Sequence, residues 1–527
     1  ARGGAGAVPG GRRMIRPALD VGIELGGAVA AVVGDGATVR VQELCAARLD
    51  GLLAELGVPA APAVTVTLGG SSRAIRVRLR GAPCPFRPRL LRLLWEGPPD
   101  AWWPAGAPVA RGFPDGWLGQ APAPGVDVAS YVANVAVAAV AERPGHLFGP
   151  EQADAYLAGH GAYAAPLPPG ELRLIGSRLL DLGISLRPVE RVLTVLTVAR
   201  ATGCSAEDAA EAVFTELRRV DLGARVPEDA DDPGPTGMVA GGPGATEDLE
   251  EPRAAILAEL GVRLPPVSAV PGPSGAAAIR FNDLWVPTDP HEALDGNLVA
   301  EARLHAERLL GMEDVEYLLA LVESWCPDLV GLAAERLSLG EITRLLRALV
   351  RERLSVRHLL AVLERLLDLE TVAMPRPPRD AVLLDDRLAV FPGSGDRRTL
   401  ADLRLAHVRT GLAAVISDLA RGAADELAAH VLPAEMELAL EECTLRGGAL
   451  DPAIAEELRE AVWWELGAAA ELGGVILTTS IARPAVHEAV AAEAPAVMVI
   501  ARDEVAPGVR VHELGPIASP LPRPGSG

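Results

Sequence analysis

The chain has 527 residues, enough for several domains rather than one. Its net charge of −21 is the reverse of the clustered positive charge that phosphate binding requires, so no nucleic-acid partner is expected. Hydrophobic residues make up 49% but aromatic ones only 3%, so Leu, Val and Ala must fill the cores.

Residues 1–16 are rich in Gly and Arg and lack periodicity, which reads as a disordered N-terminus with no signal peptide. "DVGIELGGAVAAVV" (Asp20–Val33) reads as a strand, a turn and an apolar stretch. "VQELCAARLDGLLAELG" (Val41–Gly57) has apolar residues at helical spacing and a glycine stop. "AVTVTLGG" and "AIRVRLRG" alternate apolar and polar residues around "GGSS", which predicts a hairpin. Residues 17–125 are therefore expected to form an α/β subdomain with an insert, and 126–226 a subdomain of short helices separated by Gly and Pro. Residues 227–250 are acidic and Gly/Pro-rich, a linker by composition. A reduced second α/β subdomain (251–290), a second helical subdomain (291–372), a terminal α/β subdomain (381–517) and a tail (518–527) follow. In the terminal region "VILTTS", "ARPAVHEAVAAEA" and "AVMVIA" predict a β-α-β unit with parallel strands. No apolar run approaches the roughly 20 residues of a membrane span, and a cytoplasmic location is expected.

The order of segments repeats. "LAELGV" occurs at Leu53–Val58 and at Leu257–Val262, each time before prolines. "LFGPEQADAYLA" (Leu147–Ala158) aligns with "LLGMEDVEYLLA" (Leu309–Ala320). "GELRLIGSRLLDLGISLRPVERVL" (Gly170–Leu193) aligns without a gap on "GEITRLLRALVRERLSVRHLLAVL" (Gly340–Leu363). Three segments in one order indicate internal duplication. Ser185 and Ser355 are expected as N-caps of the "SxR" step. The fold class is thus α+β multidomain: tandem modules, each an α/β subdomain plus a helical bundle, with a terminal α/β subdomain.

The second copy, His305–Asp368, resembles the helical subdomain of the FHIPEP family, the FlhA-type export-gate proteins of flagellar and virulence type III secretion. It carries the phrases "H...LLG..E...LL", "P.LV..L" and "L.LG.I..VL..LL.E.V.IRDL..IL..L" in recognisable form. "AHVRTGLAAVI" (Ala406–Ile416) is similar to the family's VR-x-x-L helix, and "VLPAEMELAL" (Val431–Leu440) to its strand-to-helix passage. Val475–Ile517 resembles the ending "LL-S..LR..L....P...VLS..E......V..LG.I". The resemblance covers about 250–517, and in duplicate 20–226. Family members begin with a membrane domain, whereas here a further module precedes the second. The "R-D-N" stretch beside the family's chaperone groove reads "TLGG" (Thr67–Gly70) and "AVPGPSG" (Ala269–Gly275).

The resemblance implies a non-enzymatic component of an export apparatus, peripheral at the inner face of the cell membrane through its complex. Its partners would be export substrates or their chaperones and other export-gate components, with a homo-oligomeric ring as the assembly the resemblance implies. The alternatives are a free-standing cytosolic adaptor or scaffold, and an enzyme using the region near Thr478–Arg483. No nucleophile–base set is found, and no cofactor is expected. "HEAL" and "HEAV" lack the second His of a zinc-protease helix. The five cysteines (Cys45, Cys84, Cys204, Cys326 and Cys443) form no CxxC pair, so neither zinc nor a disulfide framework is expected. Trp102, Trp103, Phe113 and Trp117 cluster in an aromatic-poor chain and, with Trp285 and Val286, are candidates for partner binding or for core. Trp463 and Trp464 are adjacent on one helix, so one is expected at an interface. Arg187 and Arg357, cations in a first helical turn, are expected to hold a carboxylate, with Glu171 and Glu341 the candidates.

Overall fold

The computed structural model describes residues 16–26, 30, 37–69, 75–84, 128–160, 168–219, 222–227, 249–272, 277–288, 294–372, 399–422, 424–446, 450, 452–466, 473–491 and 494–517. The first copy opens with β1 (Ala18–Leu25), helix α1 (Ala37–Leu56), β2 (Ala61–Leu68), β3 (Ile75–Leu79) and the short β4 (Ala82–Pro83). The sheet order is β2-β1-β3-β4, with β1 parallel to β2 and antiparallel to β3. The expected β2–β3 hairpin does not form, because β1 lies between the two strands. Alternation is a property of each strand alone and does not say which strand is its neighbour. Leu19, Val21, Ile23 and Leu25 on β1 are all buried under α1.

The first bundle follows as α2 (Val128–Ala141), α3 (Pro150–His160), α4 (Pro169–Asp181), α5 (Val189–Ala201) and α6 (Ala206–Leu217). Helix α6 was not read from the sequence, although its start signal is present. Ser205 accepts a hydrogen bond from the Asp208 N–H at 3.1 Å, an N-cap that satisfies an orphan donor.

The second copy starts earlier than its composition suggested. Strand β5 (Leu222–Pro227) stands where the end of the first bundle was expected. With α7 (Glu250–Leu260), β6 (Val267–Gly272), β7 (Ala277–Phe281) and β8 (Leu284–Thr288) it builds a sheet of order β6-β5-β7-β8. The pairing directions match those of the first sheet: parallel, antiparallel, antiparallel. The second bundle comprises α8 (Leu294–His305), α9 (Met312–Glu323), α10 (Pro327–Arg336), α11 (Leu339–Arg351), α12 (Leu359–Val372) and α13 (Leu400–Gly411). Helix α13 falls in the range assigned to the terminal subdomain. It packs on α12 and α11, as α6 packs on α5 and α4, so it completes the second bundle.

Helix α14 (Ala413–Arg421) leads to β9 (Leu427–Val431), α15 (Ala434–Leu445), α16 (Pro452–Leu466), β10 (Gly474–Thr478), α17 (Arg483–Ala491), β11 (Val497–Ala501) and β12 (Val511–Pro516). The sheet order is β11-β10-β9-β12, all parallel, and it contains the expected β-α-β unit. Parallel sheets need both faces covered. Leu427, Ala429, Val475 and Leu477 face the second bundle, while Ile476, Val497 and Val499 face α15–α17.

Candidate functional site

The repeated sequence phrases meet each other in space. Helix α1 ends at Gly57, whose left-handed φ of 71° suits a residue without Cβ, and the Val58 N–H closes on the Leu53 carbonyl at 2.9 Å. The remaining orphan carbonyls are taken by the first bundle. Ser185 Oγ donates to the Glu55 carbonyl at 2.8 Å, and the Leu186 N–H donates to the Leu56 carbonyl at 2.8 Å. A Cβ on Gly57 would stand 2.4 Å from the Arg187 nitrogen. In the second copy Gly261, with φ 74°, packs against Val356 and Arg357, and Arg357 Nη1 donates to the Ala258 carbonyl at 3.0 Å. The recurring "LAELG" end is therefore the peg by which each sheet is pinned to its own bundle, and "SxR" is the socket.

This placement corrects the expectation for Arg187 and Arg357. The Arg357 guanidinium holds a helix-end carbonyl, where a cation is favoured by the dipole, and not Glu341. Glu341 instead forms a capping box with Ser338 and an ion pair with Arg404 at 2.7 Å. Burial tends to raise its pKa, but the Ser338 N–H and Arg404 outweigh this and hold it below the usual carboxylate value. Arg187 is exposed, and its N–H donates to Ser185 Oγ at 3.2 Å. Glu171 lies in the first turn of α4, half-buried. Trp285 sits half-buried on β8 with the Arg280 guanidinium 5.5 Å from its ring centre, and Val286 is buried in the core of the second sheet. Trp463 and Trp464 lie in α16. Trp102, Trp103, Phe113 and Trp117 lie outside the described residues.

Two charged junctions were missed by sequence reasoning. The first joins the two modules. Glu211 on α6 accepts two bonds from Arg347 Nη1 of α11, at 2.7 and 2.6 Å, with both side chains essentially inaccessible. Arg347 Nε also donates to the Leu310 carbonyl at 2.7 Å, and the guanidinium lies 4.3 Å from the Phe214 ring centre. Burial pushes its pKa down to about 10 against the pull of Glu211, which leaves it charged at neutral pH. Around this pair, Arg344 meets Asp208 at 3.0 Å, and Arg218 meets Asp314 at 2.6 Å and Glu313 at 2.7 Å. The β7–β8 turn adds a neutral contact. Asn282 Nδ2 donates to the Leu182 carbonyl at 2.9 Å and the Arg308 carbonyl at 3.0 Å, and Asp283 Oδ2 accepts from the Ser185 N–H at 3.0 Å.

The second junction ties the second bundle to the terminal subdomain. Arg409 on α13 grips Glu504 with two bonds of 2.7 Å and Glu352 at 2.5 Å. Arg483, at the start of α17, meets Glu352 at 2.7 Å. All four side chains are almost fully buried. Their signs balance, which is what makes burial tolerable. Glu352, Arg409, Arg483 and Glu504 are also the charged letters of the phrases quoted above: the E of "LL.E.V", the R of "VR", the R of "LR" and the E of "VLS..E". In a chain rich in solvated Arg and Glu nothing else marked them.

Among the described residues no group of His, Cys, Asp and Glu could hold a metal ion, and no helix is long and apolar enough to cross a membrane. The arrangement offers junctions between modules and subdomains held by buried ion pairs.

No curated protein sequence matches the chain. Among solved structures, the CdsV protein of Chlamydia pneumoniae is similar over 56% of this chain and 96% of its own, at 17% identity and TM-score 0.44. The MxiA protein of Shigella flexneri is similar over 57% and 99%, at 16% and 0.43. The nonameric EscV cytosolic domain from the type III secretion system is similar over 56% and 96%, at 16% and 0.42. The model of the FHIPEP family matches residues 280–510, a range that holds all four members of the second charged junction. Residues 280–510 are thus similar to the FHIPEP family, over a little less than half of the chain.

Proposed function

We propose that this chain is a non-enzymatic component of a type III or flagellar-type protein export apparatus, where it docks export substrates or their chaperones. The family match over residues 280–510 carries this reading. The buried Glu352–Arg409–Arg483–Glu504 set within that range supports it, since it fixes the second bundle against the terminal subdomain as a platform for reversible docking. The chain acts in the cytoplasm, at the inner face of the membrane through its complex, with other export-gate components and further copies of itself in a ring as partners. The tandem modules are its working units. Trp102, Trp103, Phe113 and Trp117 with Trp285 are the proposed partner-binding residues, while the core position of Val286 takes it off that surface. Glu171, Arg187, Glu341, Arg357, Trp463 and Trp464 are proposed at interfaces. A free-standing adaptor is the second reading, favoured by the Glu211–Arg347 junction, which gives the matched region a partner module within its own chain. Deleting the gene in its source organism and measuring type III-type substrates in the culture medium separates the two. Loss of export is expected, and unchanged export would leave the adaptor.

A further inference from the structure

Helix α9 and the turn that follows it carry an apolar stripe that none of the described residues covers. Tyr317 and Leu321 are four residues apart and therefore share a helix face, 45% and 49% exposed. Trp325, four residues further on, continues that spacing into the turn before α10, where its N–H donates to the Val322 carbonyl at 3.0 Å. It is 87% exposed, an unusual state for the largest apolar side chain in a chain with eight Trp. On α10, Leu332 is 47% exposed. The Arg263 guanidinium lies 4.3 Å from the Tyr317 ring centre and donates to its hydroxyl at 2.9 Å, which holds that ring in place before any partner arrives.

The first copy lacks the stripe. Its aligned positions on α3 are Ala155 and Gly159, so the duplicated fold does not require large apolar residues there. The N-terminal end of α9 is occupied by the Arg218 contacts, and the stripe runs from there to the outer tip of the α9–α10 pair.

Charge decides the occupant. Glu316 and Glu323 on α9 and Asp328 and Glu335 on α10 are exposed beside the stripe, and they outnumber the exposed cations there, Arg336 at the end of α10 and Arg263 on the Tyr317 ring. An acidic rim around an apolar centre repels anionic lipid and favours cationic flanks on the segment that docks there. We propose that the α9–α10 face docks an amphipathic helix with a Leu- or Phe-rich side and Lys or Arg flanks, belonging to another protein. Trp325 is the anchor and Leu321 the centre of the contact. The proposal stands on this surface alone and does not depend on the export reading.

The test uses the full chain and a synthetic helix of about 18 residues, roughly five turns, with Leu on one face and Lys on the other. Two controls accompany it: the same residues scrambled, and a version with Glu in place of Lys. Binding by the basic amphipathic peptide is expected to weaken by about tenfold or more in Trp325→Ala and Leu321→Ala. It should be unaffected by Asp154→Asn on the first copy's α3, and should fall as salt is raised. Both apolar variants alter exposed side chains and should melt like the parent. Absence of binding up to about 1 mM, equal binding of the scrambled peptide, or unchanged binding in Trp325→Ala would overturn the proposal. Self-association lost in Trp325→Ala would assign the face to a second copy, and vesicle binding lost there would assign it to a membrane; either result also overturns it.

Discussion

His487 on α17 faces Glu352, Arg351, Arg483 and Arg409, and its Nε2 is buried without a partner among the described residues. Burial holds its pKa down to about 4, with the three arginines pressing the same way and Glu352 opposing. The folded state keeps the ring neutral, while the unfolded chain takes a proton near 6.5. A depressed folded pKa gives stability that is complete above 6.5 and is lost as pH falls toward 4. Urea unfolding should show the chain about 2–3 kcal/mol less stable near pH 4.5 than at neutral pH on this account, a difference that His487→Gln removes. Glu352 acts lower. Burial would raise its pKa, but Arg409, Arg483 and His487 hold it far below its ordinary 4.5, so its contribution persists above 4.5 and fades only further into acid.

At the scale of elements, two left-handed glycines, Gly81 in the turn between β3 and β4 and Gly57 at the end of α1, separate conformational cost from steric cost. Gly81 has φ 81° with open space around its missing Cβ, so Gly81→Ala should cost about 1 kcal/mol. Gly57 has a similar φ but faces the backbone of Leu186 and Arg187, so Gly57→Ala should cost at least about 3 kcal/mol in a thermal or urea melt. Equal losses at the two sites would mean that the peg and socket carry no packing energy. Helices of this chain were legible wherever apolar spacing ran between Gly and Pro, as in α4 and α11. The neighbours of strands were not, because β1 recruits β2 and β3 from both sides and alternation is silent about partners. Strand β5 was hidden by its own sequence, "LGARVP", which joins a composition typical of linkers.

For the whole molecule, the sequence order showed that a module had been duplicated, and the family phrases located the second copy. How the copies meet was not legible. The Glu211–Arg347 pair has no counterpart in either repeat: α4 carries Ser177 at the position of Arg347, and α13 carries Leu405 at the position of Glu211 when the Ser205 and Thr399 caps are superposed. A contact that arises once leaves no periodic trace. Glu211→Gln strands the buried Arg347 and should cost about 3 kcal/mol, whereas Arg347→Met leaves Glu211 with Arg178 at 3.3 Å and should cost less. The double variant should cost less than the sum of the two, read by a double-mutant cycle in urea. Strict additivity would show that the pair does not couple the modules.

Tandem domains commonly swing about their linker, so that whatever one holds drifts relative to the other. The β7–β8 turn gives this chain a different mechanical character. Asn282 ties one module to the other by donating to Leu182 and to Arg308 at once, and the adjoining Asp283 receives the Ser185 N–H. Two neighbouring residues, with the Glu211–Arg347 pair beside them, thus hold the copies at a fixed spacing, and the pair of modules has the stiffness of a ruler.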